Sequence, residues 1–248
     1  MLYDNYKIAA VHYSRNERWD RLKRGFINSV QKNTTAELDF REPEFPKEEK
    51  QEYKYTSNNF KLKIWRDIIY ETDKPTVLMD TDIIVLDDIN DGFKADLTLT
   101  KPYGKWINAG VVFVIPNERT RAFFDMWVAK DDELYNSTTK ASRVPISLHK
   151  AWRQTKVLGQ NQTALKMIYD DIPCSVEWVD GAVYNCCKGQ MFMDEAENPQ
   201  AKVIHVKSQE DDFQDCVMRA VTGQKYGKHH KLVERILSYY VDKDTNNH

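Results

Sequence analysis

Asp80 and Asp82 interrupt an apolar, β-branched run, with Thr76-Val77-Leu78-Met79 before them and Ile83-Ile84-Val85-Leu86 after. A carboxylate inside such a run is costly unless something compensates its charge. Residues i and i+2 of a strand share a face, so the spacing predicts two carboxylates converging on one cation at the end of a buried parallel strand. Hard oxygen donors of this kind suit a divalent metal, and a diphosphate is the ligand class whose charge needs one. In open α/β sheets, ligands gather at the carboxyl ends of strands. The second D-x-D triplet, Asp242-Lys243-Asp244, lies among polar residues and reads as solvated surface.

The elements around the pair alternate. Residues 7–12 form a short apolar run of strand length, followed by Trp19, Leu22, Phe26 and Val30 at helical spacing. A second strand is expected over 36–40, then an exposed loop over 41–55 rich in Pro, Glu and Lys. Ser57 and Asn58 are expected to cap a helix with the stripe Phe60, Ile64, Ile68 and Ile69. Strands are expected over 96–100 and 109–115, and Pro116-Asn117-Glu118 opens a helix presenting Phe123, Phe124 and Trp127. Residues 131–145 are polar and aperiodic, which predicts a loop that closes over a bound ligand. A short helix over 160–169, strands over 176–179 and 201–206, and a closing helix over 231–241 complete the pattern. Strands alternating with helices predict an α/β fold with a mostly parallel sheet in a single domain.

Composition narrows the function classes. The chain has 248 residues, 41% hydrophobic and 12% aromatic, enough for a substantial core. Lysine and arginine total 36 against 38 acids, so the formal charge of -2 lacks the basic excess of a duplex nucleic-acid binder. No apolar run approaches the roughly 18 residues of a membrane span. The first residues lack a basic segment followed by an apolar stretch, so a cytoplasmic protein is expected. Cys174, Cys186, Cys187 and Cys216 show no C-x-x-C spacing, which argues against structural zinc and for reduced thiols. The N-x-[ST] triplets at Asn33, Asn136 and Asn161 then read as chance matches.

Four blocks in order resemble the GT-A glycosyltransferases, most closely the family-eight group of glycogenin-like and lipopolysaccharide galactosyltransferase-like enzymes. Val77-Leu78-Met79-Asp80-Thr81-Asp82-Ile83 is similar to the strand carrying the metal-binding D-x-D motif. Asn108-Ala109-Gly110-Val111 resembles the block lining the donor-sugar pocket. Asn161-Gln162-Thr163-Ala164-Leu165 is similar to the D-Q-x-x-L motif, with Asn161 in place of its acid. His205-Val206-Lys207-Ser208 resembles the late H-x-K-G motif, with Ser208 in place of glycine. No segment matches the family's acceptor-binding tail.

The resemblance implies a GT-A domain over 1–248 with a helical tail from about residue 210. It implies a hexosyltransferase moving sugar from a nucleoside-diphosphate donor, a UDP-sugar, to an acceptor hydroxyl on a glycan, lipid or protein, with retention. Mn²⁺ or Mg²⁺ would be held by Asp80, Asp82 and His205, an imidazole being a suitable third ligand. Lys207, on the same strand face as His205, would meet the diphosphate. Lys61 resembles the basic residue that family members direct to the nucleotide from the helix before D-x-D. His12 and Tyr13 would stack against the nucleobase at the end of the first strand. Asn108, Ala109 and Gly110 would line the sugar, and Asn161 and Gln162 would approach its anomeric region. Trp106, Trp152 and Trp178 offer faces for an acceptor sugar or belong to the core.

Three rival classes compete. A haloacid-dehalogenase-type phosphatase also has a strand ending in D-x-D, but Ile84 stands where Thr or Val commonly follows, and no later acidic metal motif is evident. A sugar-phosphate nucleotidyltransferase would carry a glycine-rich basic loop after the first strand, where this chain reads His12-Tyr13-Ser14-Arg15-Asn16. A non-catalytic nucleotide- or carbohydrate-binding protein is separated from an enzyme by a turnover assay against UDP-sugars.

Overall fold

The first apolar run forms β1 (Lys7–Val11), and the computed structural model describes residues 3–13, 17–45, 53–101, 107–136, 160–187, 200–206 and 236–240. In chain order there follow α1 (Glu17–Asn33), β2 (Glu37–Arg41), α2 (Tyr53–Glu71), β3 (Thr76–Met79), β4 (Ile83–Val85), β5 (Leu97–Lys101), β6 (Asn108–Val114) and α3 (Glu118–Asn136). Then come α4 (Gln160–Met167), β7 (Val176–Asp180), α5 (Gly181–Tyr184), β8 (Cys186–Cys187) and β9 (Val203–His205). Six strands form one sheet in the order β2-β1-β3-β6-β5-β7. The pairs β1–β2, β1–β3 and β5–β7 are parallel, and β6 runs antiparallel to both its neighbours. The α/β reading with a mostly parallel sheet therefore holds, with β6 as the reversal.

Period-two alternation divides the sheet's side chains between two cores. Ile8, Ala10, Val77, Met79, Val111 and Phe113 face α1, where Phe26 and Val30 meet them. Ala9, Val11, Leu78, Val112 and Val114 face the other way, onto Leu62, Trp65, Phe123, Trp127 and Leu165 of α2, α3 and α4. Burial on both faces explains why β1 and β3 read as continuous apolar runs. Asn117 caps α3: its Oδ1 accepts from the amides of Arg119 (2.9 Å) and Thr120 (3.0 Å), while Thr120 Oγ1 accepts from the Asn117 amide (2.9 Å).

A second sheet, β4-β9-β8, lies beside the first. Ile83 and Val85 join the α1-side core, while Ile84 and Ile204 pack with Leu22, Ile236, Tyr239 and Tyr240. Residues 236–240 are thus held against α1, where Asn28 Nδ2 donates to the Tyr239 carbonyl (2.9 Å) and Asn33 Nδ2 to its hydroxyl (2.7 Å).

Several expectations change. The acid pair does not lie on one continuous strand, because β3 ends at Met79 and β4 belongs to the other sheet. Residues 80–82 form the turn between sheets, so strand periodicity is not what brings the carboxylates together. Helix α2 begins at Tyr53, which places Ser57 and Asn58 inside it and not at its cap. Its fully buried stripe is Leu62, Trp65, Ile68 and Ile69, with Phe60 and Ile64 only partly covered. Residues 131–136 of the expected loop complete α3, where Asp131, Leu134 and Tyr135 are buried; residues 137–145 lie outside the described residues. The closing helix over 231–241 is described only at 236–240. No helix among the described residues is long and apolar enough to cross a membrane.

Candidate metal centre

The acid turn is held from both sheets. The Asp80 amide donates to the Gly110 carbonyl (2.9 Å), extending the β3–β6 ladder by one rung. At Ile83 the chain enters β4, which pairs antiparallel with β9 and sets His205 opposite Ile83. His205 Nε2 lies 3.1 Å from Asp82 Oδ1 and 3.8 Å from Asp80 Oδ2. One ligand atom from each of Asp80, Asp82 and His205 falls within 4.8 Å of the others. Asp82 and His205 are buried, and Asp80, with 18% of its side chain exposed, forms the open side. Two carboxylates and an imidazole nitrogen form a donor set that could hold a divalent metal.

Surrounding groups explain the turn's shape. The Lys61 ammonium, from α2, pairs with Asp80 Oδ1 and lies over the Trp65 ring, 4.6 Å from its centroid. His12 follows β1 and places Nδ1 3.2 Å from Thr81 Oγ1, between the two acids. Burial holds the His12 imidazole below its ordinary 6.5, opposed by the neighbouring Asp20. Behind the turn, Tyr240 is buried, and burial together with the Asp82 charge holds its phenol above the ordinary range.

The Asn108–Ala109–Gly110 block forms the back of the site. A Cβ on Gly110 would sit 2.6 Å from His205 Cε1 and 2.8 Å from Nδ1, so only glycine leaves room for the ring. Asn108 Oδ1 accepts from the Gly110 amide (2.9 Å), beside the register shift between Leu99 and Thr100. Ala109 is buried in the α2–α3 core.

The remaining sequence candidates are placed as follows. His12 and Tyr13 are both buried; Tyr13 meets Phe45 edge-on, centroids 5.3 Å apart. Asn161 is buried at the start of α4, its carbonyl accepting from Trp127 Nε1 (2.7 Å) and its Oδ1 from the Gln162 amide (2.9 Å). No hydrogen bond joins Asn161 or Gln162 to the Asp80–Asp82–His205 cluster among the described residues. Trp178 Nε1 donates to the Tyr169 hydroxyl (2.8 Å), bracing β7. Lys207, Trp106 and Trp152 lie outside the described residues.

One participant was not anticipated. Asn185, fully buried between α5 and β8, brings Oδ1 to 3.0 Å from His205 Nδ1. Its sequence signal was available: a lone amide within Val183-Tyr184-Asn185-Cys186, where a polar group needs a partner as the acid pair does.

No family model and no curated protein matches the sequence. The structure, however, is similar to solved glycosyltransferases. A glycosyltransferase involved in the glycosylation of the major capsid of PBCV-1 aligns with a TM-score of 0.56 at 13% identity, over 85% of this chain and 97% of its own. The apo form of the glycosyltransferase GlyE from Streptococcus pneumoniae TIGR4 aligns with a TM-score of 0.59 at 15% identity. That alignment covers 96% of this chain and 60% of GlyE, so the chain spans about three fifths of GlyE's length. At such identities the likeness is one of fold.

Proposed function

We propose that this chain is a metal-dependent glycosyltransferase of hexosyltransferase type, moving a sugar from a UDP-sugar to an acceptor hydroxyl with retention. The observation that carries the reading is the Asp80–Asp82–His205 cluster, at the end of β3 in a fold shared with glycosyltransferases. Two carboxylates facing a diphosphate would repel it, so donor binding requires a cation. The residues fit Mn²⁺ or Mg²⁺, with the imidazole nitrogen favouring Mn²⁺ because Mg²⁺ prefers an all-oxygen shell. When bound there, the cation supplies charge neutralisation for the leaving diphosphate.

The chain's own residues supply the rest. Lys61, already beside Asp80, exchanges that carboxylate for a phosphate oxygen once the donor arrives, and Lys207 adds a second ammonium. Asn108, Ala109 and Gly110 form the wall against which the sugar rests. Gln162 and Asn161 orient the anomeric region through neutral amides, which cannot attack it as a carboxylate would; this agrees with retention by same-face attack. The nucleobase lies beyond the end of β1, where Tyr13 contacts it and His12 acts through Thr81. The acceptor is a hydroxyl of a glycan, lipid or protein, and the whole chain works as one cytoplasmic domain.

Thermal denaturation of the full chain tests the reading. UDP with Mn²⁺ should raise the melting temperature far more than UDP alone, since a ligand specific to the native state stabilises by mass action. Equal stabilisation without metal, or no UDP release from any UDP-sugar in a panel with Mn²⁺, would overturn it.

A further inference from the structure

We infer that Asn185 is the positioning residue that holds His205 in its Nδ1–H tautomer, so that Nε2 presents a lone pair to a divalent cation shared with Asp80 and Asp82. This rests on the metal reading of the site.

The amide's orientation follows from its neighbours. Asn185 Nδ2 lies 2.9 Å from Thr100 Oγ1 and 3.4 Å from the Asn108 carbonyl. The carbonyl only accepts. Thr100 Oγ1 donates its own proton to the Asn108 carbonyl (2.9 Å), with the Val111 carbonyl at 3.3 Å, so it too faces Asn185 as an acceptor. The amide nitrogen must therefore face this side, and Oδ1 must face His205. An amide oxygen only accepts, so at 3.0 Å the proton belongs to His205 Nδ1.

That assignment decides what Nε2 offers. In the neutral ring it carries the lone pair, 3.1 Å from Asp82 Oδ1 and 3.8 Å from Asp80 Oδ2. The imidazole nitrogen then adds a third lone pair beside the two carboxylates, a donor set that a cation would draw together. The relay starts in the main sheet, where Thr100 of β5 and Asn108 of β6 set the amide, and ends on β9 in the other sheet. Gly110 keeps the path open by leaving the ring its space.

Two variants of the full chain test this. Asn185→Leu removes the acceptor at similar volume. Asn185→Asp keeps an acceptor toward Nδ1, and the Thr100 hydroxyl can rotate to donate to the other oxygen. Calorimetric titration with Mn²⁺ alone should show affinity about 10–100-fold weaker in Asn185→Leu, the range for loss of an outer partner of a ligating histidine, and largely retained in Asn185→Asp. In ¹⁵N-histidine spectra of the wild-type protein loaded with ¹¹³Cd²⁺, His205 should show a protonated Nδ1 and cadmium coupling to Nε2. Wild-type Mn²⁺ affinity in a folded Asn185→Leu, or coupling of cadmium to Nδ1, would overturn this inference alone. The wild-type spectrum decides the tautomer even if Asn185→Leu does not fold. Failure of the wild-type chain to bind Mn²⁺ or Cd²⁺ would instead overturn the metal reading and this inference with it.

Discussion

The amide of Val206 donates to the carbonyl of Asp82 at 2.7 Å, one residue beyond the rung that sets His205 against Ile83. Backbone pairing thus places the buried acid and the imidazole beside each other before any side chain contributes. Asp80 is anchored separately, through the Gly110 carbonyl of the main sheet. The site is a bridge between two sheets: the β4–β9 ladder sets Asp82 beside His205, and the β3–β6 ladder sets Asp80.

Asp82→Asn keeps the shape and removes one negative donor. Because losing only an outer-shell partner costs about 10–100-fold in metal affinity, losing a ligand should weaken Mn²⁺ binding by roughly a hundredfold or more. Calorimetry with Mn²⁺ and UDP release from a UDP-sugar measure the two consequences. Unchanged binding would remove Asp82 from the donor set.

Lys61→Met separates two roles of one ammonium. Paired with Asp80, the Lys61 charge competes with any cation for that carboxylate. The variant should bind Mn²⁺ more tightly in the absence of nucleotide, yet bind UDP more weakly with Mn²⁺ present. A parallel loss of both affinities would show that Lys61 merely supports the fold.

Gly110→Ala drives a methyl into the His205 ring, whose Cε1 lies 2.6 Å from that position. Overpacking of this kind costs about 1–3 kcal/mol, and a chain of this size loses about 2–4 °C of melting temperature per kcal/mol. Mn²⁺ affinity should fall as well, because the ring must move. Intact Mn²⁺ binding at wild-type melting temperature would contradict the assigned seat.

Asp131 sets a pH dependence away from the Asp80–Asp82–His205 cluster. Burial pushes its carboxyl from 3.8 to about 6, against hydrogen bonds from Asn59 and Gln160. Asn59 Nδ2 and Gln160 Nε2 both reach its Oδ2 at 2.9 Å, while among the described residues Asp131 Oδ1, Asn59 Oδ1 and Gln160 Oε1 make no hydrogen bond. The folded state therefore favours the protonated acid. Stability is undiminished below the unfolded value of 3.8 and falls as pH rises through about 6. Asp131→Asn, neutral at every pH and able to donate to one of those oxygens, should be more stable than wild type at pH 7–8 by up to about 3 kcal/mol. The difference should close below pH 4. Urea denaturation across that range measures it, and a gap that does not vary with pH would refute the assignment.

The sequence by itself determined most strands and the chemistry of the acid pair. Apolar runs at 7–11, 76–79 and 109–114 are legible because burial on both faces demands continuous hydrophobicity, and charges inside such a run stand out by their solvation cost. Buried polar groups break that pattern and hide the element that carries them. Among the described residues, the Asp131 carboxyl takes its hydrogen bonds from Asn59 and Gln160 of other helices, a pairing that the local pattern of α3 does not carry. Tertiary structure alone decided that residues 80–82 turn between two sheets, and that His205, 123 positions from Asp82, arrives within 3.1 Å. It also revealed Gly110 as the seat of that ring and Asn185 as its hydrogen-bond partner. Periodicity records which face of an element is buried. It does not record which distant element covers that face, and in this protein that pairing places the His205 imidazole beside the acids.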